Sequence, residues 1–340
     1  MTGEMFDVTI IGSGPAGLYG AFYAGLRGLR TKILDALPEL GGQLVTLYPE
    51  KWVFDVGGFP RILARDLAKN LVEQAMTFKP TVCLGEKVTT VKVHDEGGVR
   101  AFEIVTDIGT THFTKTLVLT AGIGAFKPKT LNVPGVEEFD GKGIYYFVVH
   151  KGVFRDKEIL IVGGGDSAVD WCLNLLDTAK KITLIHRRDQ FRAHEESVKE
   201  LMDSPVDIKT FHELRSVGGN GRVEHAVVFD NRTNDETELK VDSVILNLGF
   251  HADLGPVKEW GLALDKGGIK VNYRMETNIQ GIFAAGDVAS HPGKLKLIST
   301  GLGEVATAVN FAKNLIDPSA KIYPGHSSDF KDLQSAQKAG

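Results

Sequence analysis

The sequence predicts an α/β protein with parallel sheets, organised as two Rossmann-like dinucleotide-binding domains. Short apolar segments alternate with amphipathic helical segments along the 340 residues, which is typical of α/β folds. A strand, a glycine-rich turn, a helix and a second strand follow one another twice, in residues 6–35 and again in residues 157–188. This repetition indicates two nucleotide-binding units, and the chain is long enough for two domains of ordinary size.

The composition indicates a globular enzyme with no general affinity for polyanions. The chain is 43% hydrophobic and 24% charged, with a formal net charge of -4. A net negative charge provides no overall attraction to nucleic acid or to an anionic membrane. No charged-then-apolar leader precedes Phe6, and no apolar run reaches the roughly 18 residues of a membrane-spanning helix. We therefore expect a cytoplasmic protein that binds neither nucleic acid nor membrane.

The two cysteines, Cys83 and Cys172, are too far apart in sequence to form a CxxC pair, a metal-ligand spacing or a disulfide framework. Their number fits a reducing compartment, and we expect no metal site. Cys172 lies on a predicted helix and is interpreted as a small buried hydrophobic residue.

The first glycine-rich turn has the pattern G-x-G-x-x-G between the strand FDVTII and the helix PAGLYGAFYAGLRG. Gly12 permits the tight turn, Gly14 lets the backbone approach a pyrophosphate, and Gly17 lets the helix pack closely on the strand. The helix N-terminus then faces the phosphates. Asp35 ends the second strand, TKILD, where an acid accepts hydrogen bonds from ribose hydroxyls. Together these features predict a dinucleotide site.

Between the two units, the segment RILARDLAKNLVEQAM predicts an amphipathic helix. Residues 86–122 predict a β-meander that returns to the sheet.

The second glycine-rich turn, residues 163–168, is the variant G-x-G-x-x-A. Its second strand, KITLI, ends without an acid and is followed by Arg187, Arg188 and Arg192. An acid would repel a 2′-phosphate at this place, whereas a guanidinium group pairs with it through two parallel hydrogen bonds. The turn therefore predicts NADP(H) in preference to NAD(H), the alternative being a solvated basic face.

A third glycine cluster, TNIQGIFAAGD, ends at Asp287. The pattern predicts a strand that delivers Asp287 onto a glycine turn at the start of a helix. Its carboxylate would accept a hydrogen bond from a sugar-like hydroxyl. A one-domain NAD enzyme has no use for this element, whereas a flavin, with its ribityl chain, does.

Five motifs, taken together, resemble those of the two-dinucleotide-domain flavoprotein reductases of thioredoxin-reductase type. They are GSGPAG, the GGQ of residues 41–43, GGGDSA, HRRDQFRAH and TNIQGIFAAGD. The resemblance covers residues 6 to about 315. It implies an FAD-binding domain formed by residues 1–122 and 249–340, with an NADP(H)-binding domain of residues 123–248 inserted into it. The chain would cross between the domains near Ala121–Gly122 and near Leu248–Gly249.

The sequence departs from thioredoxin reductases at their redox disulfide, a CxxC that precedes the second glycine turn. Alignment on Gly152 places Phe147 and His150 at the two cysteine positions. Thiol–disulfide exchange requires an attacking thiolate, so that route is excluded. The segments LYPEK, residues 47–51, and YPGHSS, residues 323–328, instead resemble the cysteine-free branch, the ferredoxin–NADP⁺ reductases of thioredoxin-reductase type.

That resemblance implies that Tyr48 and His326 stack on the two faces of the flavin. With the glycine turns, it predicts FAD contacts at Gly12, Gly14, Pro15, Ala16, Gly17, Asp35, Gly42, Gln43, Tyr48, Val88, Phe126, Asp287, His326 and Ser328. The predicted NADP(H) contacts are Gly163, Gly165, Asp166, Ser167, Arg187, Arg188 and Arg192. No catalytic acid–base residue is expected, because the flavin carries the chemistry.

The resemblance further implies a homodimer that passes electrons from NADPH to a one-electron carrier, ferredoxin or flavodoxin. An acidic carrier would need a local basic patch, for which Lys127, Lys129, Lys294 and Lys296 are candidates. His326 would also gate access of the nicotinamide by moving. The alternatives are an NAD(P)H diaphorase or quinone reductase with the same cofactors, a disulfide reductase with unusual thiols, and a nicotinamide-sensing flavoprotein without turnover.

Overall fold

In the computed structural model, residues 3–96, 99–122 and 124–326 are described. The chain divides into two compact units. Unit 1 comprises Met1–Thr46, Trp52–Ala125 and Ala252–Gly340, and unit 2 comprises Leu47–Lys51 and Phe126–His251. The assignment of FAD and NADP(H) domains with boundaries at 122 and 249 stays a prediction.

The helices are α1 (Pro15–Leu26), α2 (Gln43–Thr46), α3 (Ala64–Met76), α4 (Asp166–Asn174), α5 (Glu195–Met202) and α6 (Ile298–Ile316). Three 3₁₀ helices span Lys151–Phe154, Gly255–Glu259 and Gly286–Val288 within the described ranges. The strands are β1 (Met5–Ile11), β2 (Thr31–Asp35), β3 (Trp52–Val53), β4 (Ile62–Leu63), β5 (Thr81–Leu84), β6 (Val88–Glu96), β7 (Val99–Thr106), β8 (Thr111–Leu119), β9 (Ala125–Pro128), β10 (Ile144–Tyr145), β11 (Glu158–Gly163), β12 (Lys181–His186), β13 (Asp207–Thr210), β14 (His212–Gly218), β15 (His225–Asp230), β16 (Glu236–Lys240), β17 (Ser243–Asn247), β18 (Phe250–Asp253), β19 (Leu264–Asp265), β20 (Gly268–Lys270), β21 (Ile282–Ala284) and β22 (Ala289–Ser290).

The main sheet of unit 1 has a parallel half and an antiparallel half. Strands β5, β2, β1 and β8 are parallel, and β21 pairs in parallel with the second half of β8. The first half of β8 pairs with the antiparallel β7, and β7 pairs with β6. Because parallel strands end at the same edge of a sheet, the segments that follow β1, β2 and β21 meet at its carboxyl edge.

Strand β1, at the centre of the parallel half, is mainly apolar and buried, as expected of a parallel strand whose faces are covered. Val8 and Ile10 of β1 are fully buried, as is Leu18 on α1. Gly20 on α1 allows α6 to pack closely, since a β-carbon at this position would lie 2.6 Å from Cγ2 of Val305. Helices α1 and α6 thus pack on each other next to the sheet.

Unit 2 contains a parallel sheet in the order β10-β17-β11-β12-β13. Successive side chains of a strand point to opposite faces, and β11 shows this alternation. Ile159 and Ile161 join a cluster with residues of α4 and α5, whereas Leu160 and Val162 join a second cluster with residues of the antiparallel sheet β14-β15-β16. Unit 2 is therefore a three-layer structure with helices on one face and an antiparallel sheet on the other.

The elements predicted around both glycine-rich turns are confirmed, as are the amphipathic helix (α3) and the meander (β6, β7 and β8). The α/β class with parallel sheets is also confirmed. One local prediction is wrong: the turn at Asp287 leads into the 3₁₀ helix Gly286–Val288, and α6 begins only at Ile298. Pro292 and Gly293 lie in the intervening segment, and both residue types interrupt regular structure. No helix in the described ranges combines the length and the apolar composition that crossing a bilayer requires.

Candidate functional site

The first glycine turn has the close contacts that its pattern predicts. Gly12 has φ +106°, and a β-carbon there would lie 2.6 Å from the carbonyl oxygen of Thr120. A β-carbon at Gly17 would lie 1.8 Å from the carbonyl oxygen of Gly12, so helix and strand meet without a side chain between them. At Gly14, which caps α1, a β-carbon would meet nothing within 4 Å. The turn is therefore tight on its protein side and open at Gly14, as the approach of a pyrophosphate requires.

Asp35, at the end of β2, binds the same turn directly. Its Oδ2 accepts hydrogen bonds from the backbone N–H of Ser13 at 2.5 Å and from the Ser13 hydroxyl at 2.6 Å. Its Oδ1 accepts from the backbone N–H of Leu37 at 2.8 Å. A carboxylate oxygen accepts more than one hydrogen bond, so Asp35 retains acceptor capacity for a sugar hydroxyl.

The GGQ segment lies against this turn. Gly41 donates its N–H to the carbonyl oxygen of Ser13 at 3.0 Å. Gly42 has φ +57°, and a β-carbon there would lie 2.8 Å from Cα of Gly14. The side-chain amide of Gln43 reaches Gly122, at the end of the meander. Glycines are thus required where two backbone turns pass each other.

The third glycine cluster, which ends at Asp287, lies at the carboxyl edge of the sheet in unit 1. Ala285 donates its N–H to the carbonyl oxygen of Leu119 at 3.0 Å, beyond the ends of β21 and β8. Gly286 has φ +75°, and a β-carbon there would lie 3.2 Å from Cβ of Ala16. Asp287 therefore lies at the same sheet edge as the first glycine turn.

Asp287 is partly buried, and burial raises the pKa of its carboxyl above the usual range. Lys294 and Lys296 lower this pKa, and Glu304 raises it further. Among the described residues, no donor forms a hydrogen bond with the Asp287 side chain. Its oxygens are therefore available to hydroxyl groups of a ligand. An open pyrophosphate turn, an acid at the ribose position and this second acid together fit FAD.

The second glycine turn, in unit 2, repeats the geometry of the first. A β-carbon at Gly163 would lie 2.5 Å from the carbonyl oxygen of Asn247, so this side of the turn packs tightly against the protein. A β-carbon at Gly165, the residue that caps α4, would meet nothing within 4 Å. Asp166 accepts the backbone N–H of His194 at 3.0 Å, and Ser167 is exposed. This turn also fits the approach of a pyrophosphate.

The arginine-rich loop folds back onto the second turn. Arg192 donates its backbone N–H to the carbonyl oxygen of Gly164 at 2.6 Å. The ring of His186 packs on Gly164, where a β-carbon would lie 2.2 Å from it, and stacks on Phe191 with 5.2 Å between ring centroids. Burial lowers the pKa of His186, which favours a neutral ring. These contacts hold the arginine-rich loop against the backbone of the second turn.

The three predicted arginines are exposed in this loop, which follows β12. Arg192 lines an open cleft together with Asp166, Ala193, His194, Glu195 and Glu196. Asn231 donates to the carbonyl oxygen of Arg187 at 3.0 Å and so supports the start of the loop. The loop thus presents the arginines to solvent beside the open second glycine turn, which is compatible with the predicted binding of a 2′-phosphate.

Tyr48 lies in the segment Leu47–Lys51, which belongs to unit 2. Its ring packs against the cluster on the helical face of the unit 2 sheet. Lys51 forms an ion pair with Asp170 on α4 at 2.5 Å, and Glu50 accepts the backbone N–H of Lys151 at 2.8 Å. Sequence patterns had placed this segment with the first domain.

His326 is exposed, and its Nε2 lies 3.2 Å from the hydroxyl of Tyr323. Val88 is 7% exposed at the start of β6, and Pro15 is the first residue of α1. Ser328 and the side chain of Phe126 lie outside the described residues, as does the side chain of Lys127. The contacts of these residues with a flavin stay a prediction.

The structure contains no thiol pair that could act as a redox disulfide, because the chain has only two cysteines and both are free. Cys83 lies in unit 1 and Cys172 in unit 2. Cys172 is fully buried, and burial raises the pKa of its thiol strongly. Phe147 and His150 stand at the positions of the missing cysteines, with Phe147 partly buried and His150 exposed.

One group with metal-ligating chemistry occurs in the described part of unit 1: Cys83, Glu86 and His112. Nδ1 of the buried His112 lies 2.9 Å from Nζ of Lys32, and its Nε2 lies 2.9 Å from Glu86. Nδ1 thus faces the amino group of Lys32, a hydrogen-bond donor, and Nε2 faces the carboxylate of Glu86, a hydrogen-bond acceptor. Both ring nitrogens are then engaged within the protein, and the group is a hydrogen-bonded network beside a buried lysine.

Sequence reasoning missed several residues of these sites. Ser13 was not singled out, although a hydroxyl inside the glycine turn and an acid at the end of β2 were both visible. Lys294 was a candidate for the basic docking patch, but its side chain is only 9% exposed and is paired with Glu304. Lys129 and Lys296 are exposed.

Comparisons with known proteins agree with this architecture. Residues 6–311 match the family described as Pyridine nucleotide-disulphide oxidoreductase. The chain is 51% identical to proteins named Ferredoxin--NADP reductase from Thermus thermophilus and Symbiobacterium thermophilum, over 97% and 96% of its length and 98% of each relative. Its fold is similar to the crystal structure of thioredoxin reductase from T. acidophilum, with a TM-score of 0.80 and 28% identity, covering 93% of this chain and 100% of that one. The chain therefore belongs to the pyridine nucleotide-disulphide oxidoreductase family and, within it, to the ferredoxin–NADP reductases of thioredoxin-reductase type.

Proposed function

We propose that this protein is an FAD-dependent ferredoxin–NADP⁺ reductase, which transfers electrons between NADP(H) and a one-electron carrier without a redox disulfide. The observation that carries the proposal is the similarity over nearly the whole chain to proteins named Ferredoxin--NADP reductase, in a chain without the CxxC pair of thioredoxin reductases. Unit 1 provides the FAD-binding domain and unit 2 the NADP(H)-binding domain.

Unit 1 would hold FAD at the carboxyl edge of its sheet. Gly14 leaves room for the pyrophosphate, and Asp35 accepts hydrogen bonds from the hydroxyl groups of the adenosine ribose. Asp287 accepts a hydrogen bond from a hydroxyl group of the ribityl chain. Gly42 and Gln43 close the site beside the first turn. When bound, FAD accepts a hydride from NADPH and releases the electrons singly, which connects a two-electron donor with a one-electron carrier.

Unit 2 would hold NADP(H) at the second turn. Gly165 leaves room for the pyrophosphate at the N-terminus of α4. Arg187, Arg188 and Arg192 bind the 2′-phosphate through charge-assisted hydrogen bonds, which sets the preference for NADP(H) over NAD(H). Their contribution is to bind and orient the nucleotide, and no acid–base residue is required.

The remaining contacts are proposed from the resemblance to the cysteine-free branch. Tyr48 and His326 would stack on the flavin, with further contacts from Val88, Phe126 and Ser328. The protein would act as a cytoplasmic homodimer, with ferredoxin or flavodoxin as its carrier. The lack of a disulfide framework supports the reducing compartment.

The acceptor preference tests this function. Purified protein with NADPH is offered ferredoxin, flavodoxin and a quinone in separate steady-state assays. The proposal expects kcat/KM for one of the two protein carriers to exceed kcat/KM for the quinone. If the quinone is reduced readily and neither carrier is reduced, the protein is a diaphorase or quinone reductase. A protein that binds NADPH and reduces no acceptor would be a nicotinamide sensor.

A further inference from the structure

A buried ion cluster lies behind the turn that carries Asp287. Glu304 on α6 is 7% exposed, and its Oε2 accepts the backbone N–H of Gly286 at 2.8 Å. Nζ of Lys294 lies 2.7 Å from Oε1 and 2.6 Å from Oε2. Nε2 of His291 lies 2.9 Å from Oε1. A buried carboxylate is stable only when it is paired and hydrogen-bonded, and Glu304 meets both conditions.

The cluster connects three parts of unit 1. Gly286 follows β21, and its positive φ of +75° gives the backbone its direction toward Asp287. Lys294 lies in the segment between β22 and α6, where the described chain has neither helix nor strand. Glu304 lies within α6. One carboxylate therefore fixes the turn and the segment after it against the helix.

The charges of the cluster also act on Asp287. Glu304 raises the pKa of Asp287 in addition to the effect of burial, whereas Lys294 and the exposed Lys296 lower it. Two carboxylates are thus close to each other in a partly buried region. Lys294 supplies the buried positive charge that offsets their repulsion, and the bond to Glu304 holds it there.

None of the contacts assigned so far to FAD or NADP(H) uses Glu304 or Lys294. We propose that Glu304 and Lys294 are positioning residues of the flavin site, which hold the Gly286–Asp287 turn in the conformation that receives the ribityl chain of FAD. Glu304 fixes the turn through the Gly286 N–H, and Lys294 keeps that carboxylate in place. The inference rests on the proposed function, because it requires FAD at Asp287.

The double variant Glu304→Gln/Lys294→Met tests the proposal on the purified holoenzyme. Both partners of the Lys294–Glu304 pair lose their charge together, so neither is left buried opposite an unpaired charge, and the variant is expected to fold. The dissociation constant of FAD is measured by equilibrium dialysis, with released flavin followed by its fluorescence. We expect it to rise about 10-fold, because the turn loses a charge-assisted acceptor. Lys294→Arg, which keeps the charge, is expected to retain wild-type affinity.

A control separates positioning from general stability. Lys313→Met removes a lysine from the more exposed pair with Asp317 near the end of α6, and FAD affinity should be unchanged. In the double variant, flavin release on heating should precede the loss of far-UV circular dichroism by a wider interval than in the wild type. If release and unfolding shift together and the dissociation constant is unchanged, the cluster is only structural and the proposal is wrong. A wild type that binds FAD but reduces no carrier would contradict the proposed function alone, and one that holds no FAD would contradict both.

Discussion

The carboxylate of Asp35 accepts hydrogen bonds from both the backbone N–H and the hydroxyl of Ser13, at 2.5 and 2.6 Å. The acid at the end of β2 therefore fixes the shape of the turn after β1, in addition to its proposed contact with a sugar. Asp35 thus connects the end of β2 with the glycine turn after β1. Loss of its carboxylate should affect both the shape of this turn and the contact with the sugar.

Asp35→Ala is expected to weaken FAD binding by about 10- to 100-fold, because charge-assisted hydrogen bonds contribute roughly 1.5–3 kcal/mol each. Equilibrium dialysis of the holoenzyme measures this change. Glu39→Ala is the control, since Glu39 is an exposed acid in the loop that follows. An Asp35→Ala protein with wild-type FAD affinity would show that the acid serves the turn alone.

Two glycines of the first turn should respond differently to the same added methyl group. Gly14→Ala places it in open space, so the protein should fold but lose FAD, because the methyl occupies the path of the pyrophosphate. Gly17→Ala places it 1.8 Å from the carbonyl oxygen of Gly12, and should lower the free energy of unfolding by about 1–3 kcal/mol. Thermal unfolding and flavin content distinguish the two effects. A Gly14→Ala protein that retains FAD would contradict the assignment.

The arginines after β12 should determine nucleotide preference. Each single substitution to alanine should lower kcat/KM for NADPH by about 10- to 100-fold, in Arg187→Ala, Arg188→Ala and Arg192→Ala alike. The value for NADH should change little, because only NADPH carries the 2′-phosphate. Arg222→Ala, an exposed arginine elsewhere in unit 2, should change neither. An equal loss with both nucleotides would mean that the loop supports the fold without reading the phosphate.

Electron transfer should not depend on either cysteine. In the variant Cys83→Ala/Cys172→Ala we expect carrier reduction at the wild-type rate, because burial raises the pKa of both thiols and so disfavours the reactive thiolate. Steady-state reduction of ferredoxin by NADPH measures the rate. A variant whose flavin is still reduced by NADPH but which no longer reduces the carrier would demonstrate a thiol relay.

The two turns were predictable from the sequence because their requirements are local. A tight turn, an open approach and a close helix contact each demand glycine at a fixed spacing, and Gly12, Gly14 and Gly17 meet these demands. The same is true of Asp35 at the end of its strand. The prediction of a helix directly after Asp287 was wrong. Pro292 and Gly293 interrupt regular structure there, and α6 begins at Ile298.

The contacts that the sequence did not reveal join residues that are distant along the chain. Glu304 binds the turn at Gly286 from within α6, and nothing in the helix pattern distinguishes a buried glutamate from a solvated one. Lys294 precedes α6, and its pairing with this glutamate was likewise not visible in the sequence. The segment with Tyr48 packs in unit 2 through the pair of Lys51 with Asp170, a contact that depends on tertiary structure alone.

Anaerobic stopped-flow absorbance of the bound flavin tests the central claim most directly. The protein is mixed with NADPH or NADH, and the reduced protein is then mixed with oxidised ferredoxin. The account predicts rapid bleaching by NADPH, slow bleaching by NADH and rapid return of the flavin absorbance on addition of ferredoxin. Protein without flavin absorbance, or flavin that NADPH does not bleach, would contradict the account. Reduced flavin that oxygen or quinone reoxidises but ferredoxin does not would contradict the assigned carrier and indicate a diaphorase.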